Sequence, residues 1–362
     1  MGIFDRMCAD GHEQLIFCSD PAAGLRALIG IHDTTLGPAL GGCRMWNYDD
    51  EAAAVLDALR LAAGMTAKSA VSGCSYGGGK AVIWGDPKTD KTEHLFRSFG
   101  RFVESLRGRF ITGTDVGTTY DDFVWAAQET RWLVALPESY GGSGDSSLIT
   151  AFGVWKGMRA CAEAVWGDPE LAGRTVAVQG AGKVGTHLVE HLHSEGCRLI
   201  VADIDPQRVQ GLVERLGVEA VAPDEIYDVE CDIFAPCALG GILNGDTIPR
   251  LRCRVVAGSA NNQLADLRYA DLLHERGILY APDYVINAGG LIQVVDELEG
   301  FNKERAYRKA GAIADALRRI FQVSAEQGIT PLAAAEELVR TRIDRLGRQK
   351  RIHLTTPREG RR

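Results

Sequence analysis

Residues 175–203 read TVAVQGAGKVGTHLVEHLHSEGCRLIVAD. A short apolar run at 175–179 enters a glycine turn, a helix-like segment opens at 183, and a second apolar run from 198 ends on Asp203. The turn spells Gly180-Ala181-Gly182-Lys183-Val184-Gly185, followed by Thr186. A G-x-G-x-x-G alone is weak evidence, but between a strand and a helix it is the fingerprint of a dinucleotide site. Gly180 permits the tight turn, Gly182 lets the backbone approach a pyrophosphate, and Gly185 lets helix and strand pack closely. The helix N-terminus offers free N–H groups and the positive end of its dipole to phosphate. Asp203 follows about twenty residues on, where a carboxylate accepts ribose hydroxyls and repels a 2′-phosphate. The expected cofactor is therefore NAD rather than NADP. A ligand-free glycine turn is the plainer reading, and the flanking strand, helix and acid together argue against it.

Further apolar runs lie downstream at 232–236 (DIFAP), 254–260 (RVVAGSA) and 278–283 (ILYAPD). Their alternation with helical segments predicts a parallel, doubly wound α/β sheet. Upstream, a helix over 149–166 stops at Gly167-Asp168-Pro169, and the Gly/Ser-rich stretch 138–147 (ESYGGSGDSS) reads as a linker. Before it, a strand at 25–32, helices at 50–63 and 93–106 and a short strand at 109–112 form a second α/β region. They are separated by glycine-rich turns at 37–44, 73–80 and 113–118. The expected domains are 1–140, for substrate and oligomer contacts, and 141–329, for the dinucleotide. The basic tail from Arg348 to Arg362 reads as a solvated end rather than a binding arm.

Acidic residues outnumber basic ones, 48 to 40, for a formal net charge of −8, which argues against broad nucleic-acid binding. The nine cysteines include no C-x-x-C pair and no histidines at zinc spacing, so they read as reduced thiols and no metal site is expected. Cys43 and Cys74 sit in glycine-rich motifs, but no histidine lies in either motif to activate them. No signal core opens the chain and no run approaches 18 apolar residues, so a cytoplasmic protein without membrane contact is expected.

Two lysines stand twelve apart, Lys68 in GMTAKS and Lys80 in GGGKA, with Asp115 in a third motif, TGTDVGT. Lys80 does not belong to a phosphate-binding loop, because Ala81 stands where Ser or Thr must follow. Two ammonium groups and a carboxylate beside a dinucleotide domain suit deamination chemistry. One cation pairs with a substrate carboxylate, one group activates water, and the acid moves protons to and from nitrogen.

Together, GPALGGCRM, GMTAKS, GGGKAV, TGTDVGT, GSANNQ and APDYVINAGGLIQV resemble the glutamate/leucine/phenylalanine/valine dehydrogenase family, in order from about residue 10 to 345. The resemblance implies that Lys80 activates the water attacking an imino intermediate and that Asp115 is the proton shuttle. It implies that Lys68 and Asn261 hold the substrate carboxylate, and that Thr150 and Asn262 serve the cofactor. It also implies hydride transfer to nicotinamide, a homo-oligomer, and C-terminal helices over 330–362 that pack back on the first domain. Glutamate-specific members carry a lysine where this chain has Leu40, before Gly41, and a serine near Val294. Two apolar replacements would leave a substrate carboxylate buried and unpaired, at a cost of several kcal/mol, so glutamate is excluded. Leucine-type members resemble this chain but commonly carry Ala at 113 and Val at 291, against Gly113 and Leu291 here. The motifs look more like the Bacillus-type phenylalanine enzymes, and loss of a methyl at 113 is expected to make room for a ring. Phenylalanine is the expected substrate, ahead of branched aliphatic amino acids or tryptophan, with Val134 a further candidate for the pocket. A non-catalytic NAD sensor is the rival reading, and it would not be expected to keep both Lys80 and Asp115.

Overall fold

Helix and strand limits follow local chemistry in the computed structural model, which describes residues 2–349. The first part holds α1 (Ile3–Asp10), β1 (Gln14–Asp20), β2 (Leu25–Asp33), β3 (Ala39–Leu40), β4 (Cys43–Trp46) and α2 (Glu51–Val71). Then come β5 (Gly77–Trp84), α3 (Glu93–Ser105), β6 (Phe110–Ile111) and α4 (Tyr120–Ala126). Side-chain oxygens of Asp50, Thr92 and Thr119 accept the first free N–H groups of α2, α3 and α4, which is why those helices start where they do. Strand order is β1-β2-β5-β3-β6, with β4 also on β5; β1, β2 and β5 run antiparallel and the remaining pairs parallel. Phe96, Phe99, Phe110 and Phe123 fill the core beneath one face of this sheet.

The second part begins with α5 (Ser147–Trp166), stopped by Gly167 in the left-handed region. It continues through β7 (Thr175–Gln179), α6 (Lys183–Ser194), β8 (Arg198–Ala202), α7 (Pro206–Leu216), β9 (Glu219–Ala220), β10 (Ile233–Pro236), β11 (Val255–Val256), α8 (Tyr269–Glu275) and β12 (Leu279–Tyr280). The helices α9 (Asp283–Ile286), α10 (Gly289–Leu298), α11 (Lys303–Gly311), α12 (Ile313–Gln327) and α13 (Pro331–Gln349) complete it. All pairs in the order β12-β11-β10-β7-β8-β9 are parallel, so this is the expected doubly wound sheet. β7 lies where strand order reverses, and the turn after it is the place such sheets bind ligands.

The chain forms two units. One contains the residues up to Asp145, Val294–Phe301 and the chain from Val339; the other contains Ser146–Gln293 and Asn302–Leu338. The return at 294–301 has no counterpart in the boundaries read from sequence, because α10 passes from one unit to the other as an unbroken helix with no linker composition. Likewise α13 starts in the second unit and finishes in the first, where Arg342 donates to the carbonyls of Ala70 and Cys74. The basic tail lies outside the described residues, apart from its first two positions.

Two local expectations are corrected. The helix read over 50–63 continues to Val71 and so carries Lys68. Residues 77–80, read as the end of a glycine turn, are the start of β5. Glycine there serves close packing: a Cβ at Gly78 would lie 2.1 Å from Thr66 Oγ1 on α2, and one at Gly79 would lie 2.8 Å from the Phe110 ring. Among the described residues no helix is long and apolar enough to cross a membrane.

Candidate active site

Lys80 occupies the middle of β5, where Gly30 faces it across the antiparallel pair with β2. Its side chain is only 7% exposed, so its ammonium needs a partner inside the unit. Asp115 supplies it, with Lys80 Nζ 3.1 Å from Oδ1. The other carboxylate oxygen accepts from Arg44 Nε at 3.2 Å. Burial pushes the Asp115 carboxyl up, but Lys80 and Arg44 outweigh it and hold the group below the ordinary carboxylate range. The Asp115 backbone is fixed as well: its N–H donates to Thr118 Oγ1 at 2.9 Å, and the Thr118 hydroxyl reaches the Cys43 carbonyl at 2.9 Å.

Arg44 continues the network outward. Its Nη1 lies 2.9 Å from Asp57 Oδ2, which also accepts the Tyr48 hydroxyl at 2.7 Å, while Arg60 takes the other Asp57 oxygen at 3.0 Å. Sequence reading missed Arg44, Asp57, Tyr48 and Thr118. Arg44 and Thr118 carried a signal, since they end the GPALGGCR and TGTDVGT motifs. Cys43 is fully buried and burial raises its thiol well above the ordinary value, so it is a packing residue rather than a thiolate.

Several expected substrate residues share this unit. Leu40 pairs with Gly78 and Ile111 from neighbouring strands, and is buried. A Cβ on Gly41 would stand 1.8 Å from the Gly79 carbonyl oxygen, so β3 can approach β5 only with glycine there. The Gly113 carbonyl accepts the Cys43 N–H at 2.8 Å, which brings the 113–115 segment against the start of β4. Lys68 lies half-buried on α2, two residues beyond the Thr66 contact with β5. Val294 belongs to this unit through α10.

Gly113 departs from expectation. A methyl built there would meet the Val134 carbonyl oxygen at 2.6 Å and Val134 Cγ2 at 3.3 Å. The missing methyl therefore does not simply enlarge a pocket. It lets the extended segment through Val134 lie against 112–113, where the Val134 N–H donates to the Thr112 carbonyl at 2.9 Å.

In the second unit the glycine turn has the conformation its motif requires. Gly180 has φ +106°, and a Cβ would strike Ala238 N at 2.8 Å. At Gly185 a Cβ would be 1.9 Å from the Gly180 carbonyl oxygen, so α6 sits directly over the turn. At Gly182 an added Cβ would meet no protein atom within 4 Å, so packing of the chain itself does not demand glycine there. A group lying on the turn would, and the site fits a dinucleotide pyrophosphate on that ground. Asp203 reaches the turn: its oxygens accept the Ala181 N–H at 2.6 Å and the Asp205 N–H at 2.8 Å. Lys183 and Val184 open α6, and the Thr186 hydroxyl donates to the Ala181 carbonyl at 3.1 Å.

Thr150 lies buried in the first turn of α5, its hydroxyl bonded to the Ser146 carbonyl at 2.9 Å. Asn262 adopts φ +51° and its carbonyl accepts the Gly241 N–H at 2.7 Å. Asn261 Oδ1 accepts from Asn287 Nδ2 at 2.7 Å, a contact that fixes which end of the Asn261 amide is the acceptor. Asn287 and the fully buried Gln263, which ties Gly258 and Ala260, are supports that sequence reading missed. Leu291 is buried on α10 in this unit.

Residues 12–132 match the family model described as Glu/Leu/Phe/Val dehydrogenase, dimerisation domain, and residues 201–346 match glutamate/leucine/phenylalanine/valine dehydrogenase. Leucine dehydrogenase of Bacillus cereus is 51% identical over 352 residues, covering 97% of this chain and 96% of that one. Phenylalanine dehydrogenase of Caldalkalibacillus thermarum is 52% identical over 342 residues, covering 93% and 92%. Among solved structures, L-tryptophan dehydrogenase from Nostoc punctiforme superposes with a TM-score of 0.86 at 46% identity, over 95% of this chain and 99% of that one. With matches across both units and half of all residues shared, this chain belongs to the glutamate/leucine/phenylalanine/valine family of amino-acid dehydrogenases.

Proposed function

We propose that the enzyme catalyses the reversible, NAD-dependent oxidative deamination of L-phenylalanine to phenylpyruvate, ammonia and NADH. The observation that carries this reading is the ion pair between buried Lys80 and half-buried Asp115, held from its far side by Arg44. In line with the family resemblance, Lys68 and Asn261 bind the substrate carboxylate and Asp115 serves the amino group. The nicotinamide cofactor, when bound, would supply the acceptor for the hydride on the substrate α-carbon. Lys80 takes a proton from the water that adds to the imino carbon, and Asp115 moves protons to and from the departing nitrogen. The turn at 180–186 would hold the pyrophosphate, Asp203 the ribose hydroxyls, and Thr150 and Asn262 the nicotinamide end. Leu40, Gly41, Gly113, Leu291 and Val294 provide an apolar environment for the substrate side chain. The dimerisation domain named in the family model supports a homo-oligomer, and we place the protein in the cytoplasm.

Relatives named for aromatic substrates support phenylalanine, and leucine dehydrogenases of equal identity support leucine as the second reading. A panel of amino acids with NAD and NADP separates these. We expect the highest kcat/KM for phenylalanine, and for NAD over NADP, because the Asp203 carboxylate at the end of the second strand would repel a 2′-phosphate. Arg208 does not offset it, being paired with Asp205 at 3.2 Å. Preference for leucine would install the second reading, and equal use of NADP would remove Asp203 from the cofactor assignment.

A further inference from the structure

We infer that Glu297 is a positioning residue that sets one wall of the substrate side-chain pocket, by clamping both ends of the loop that follows Val134. The inference rests on the pocket assignment proposed above. Four donor contacts converge on this one carboxylate. The Ala135 N–H lies 3.1 and 3.2 Å from its two oxygens, while the Ser143 N–H and hydroxyl reach Oε2 at 2.8 and 2.6 Å.

What the carboxylate holds is costly to hold otherwise. Ala135 has φ +56°, a left-handed conformation that a residue with a Cβ rarely adopts, so a local bond must maintain it. The loop between the two ends is closed on itself: a Cβ at Gly142 would be 1.9 Å from the Leu136 carbonyl oxygen, and the Gly144 N–H donates to that same carbonyl. The residue before Ala135 is Val134, whose carbonyl lies against Gly113. Thr112 fixes the Val134 amide from one side, and Glu297 fixes the next peptide from the other. Glu297 also stands three residues after Val294, so the helix that carries one apolar substrate contact also carries the clamp for another. The clamp is a charged acceptor for four donor contacts and is therefore stronger than a neutral one.

Glu297→Ala, Glu297→Gln and Ser143→Ala test this with phenylalanine and leucine at saturating NAD. In Glu297→Ala we expect KM for phenylalanine to rise by roughly tenfold and the phenylalanine-to-leucine ratio of kcat/KM to shift by a similar factor. KM for NAD should stay as in wild type. Exchange of the Ala135 amide, followed by hydrogen–deuterium exchange, should accelerate. Glu297→Gln keeps one carbonyl acceptor and should restore most of the ratio, and Ser143→Ala should fall between. An unchanged ratio and KM in Glu297→Ala, or a parallel loss for NAD and amino acid, would overturn the clamp. If Glu297→Ala does not fold, a wild-type ratio in Ser143→Ala together with wild-type exchange of its Ala135 amide overturns it. Wild-type protein inactive on every amino acid would instead overturn the proposed function, while amide exchange would still report on the clamp.

Discussion

Lys80→Ala is expected to lower kcat by roughly 10²–10⁴-fold, the range for loss of a general base, with the affinity for NAD unchanged. Lys68→Ala should act mainly on KM for the amino acid, because its partner is the carboxylate already present in the ground state. The two variants differ in stability too. Removing Lys80 strips one cation from a carboxylate that burial already disfavours, leaving Arg44 to oppose that burial alone. With both cations present, the Asp115 carboxyl lies below its ordinary value of about 3.9, so it contributes stability above that pH. That stability is lost as pH falls through the lower folded value. In Lys80→Ala the folded value rises, so the loss on acidification starts at higher pH and the melting temperature falls. Steady-state kinetics with both substrates varied, and thermal melts from neutral to acidic pH, read these effects. Near wild-type turnover in Lys80→Ala would remove the residue from the chemistry.

Gly113→Ala should be felt through Val134 rather than through the methyl itself. With the new Cβ at 2.6 Å from a backbone oxygen, the segment at 132–136 must move. Overpacking of this kind costs about 1–3 kcal/mol of stability. The displaced wall should lower kcat/KM for phenylalanine by roughly 10–200-fold. Leucine, with less side chain touching that wall, should lose less, so the phenylalanine-to-leucine ratio should fall. A wild-type melting temperature and an unchanged ratio would show that Val134 takes no part in the pocket.

Much of this molecule is legible in its sequence, and what is not has a common physical cause. The turn at 180–185 needs glycine for reasons confined to one strand, one turn and one helix, so spacing alone reveals it. Lys80 and Asp115 were readable as chemistry-bearing residues in glycine-rich motifs, though only the fold shows them in contact. Arg44 was not singled out, because its two carboxylate partners lie 13 and 71 residues away and an arginine at the end of a glycine-rich stretch has many ordinary uses. Glu297 is harder still, since its partners are 154 and 162 residues distant. Glycine composition also misled at 77–79: it signals a turn or a strand packed at close range, and only the presence of α2 and Phe110 decides between them. At 113 the residue type suggested open space, while its neighbour's carbonyl fills the direction a side chain would take.

The central claim is hydride transfer from an amino-acid α-carbon in a site built on Lys80 and Asp115. It is tested most directly with phenylalanine deuterated at that carbon, incubated with the enzyme and NAD. One deuterium is expected in each molecule of reduced cofactor, with ammonia released in equal amount and neither product in Lys80→Ala on the same timescale. Reduced cofactor without deuterium, or none at all with any amino acid, would contradict it.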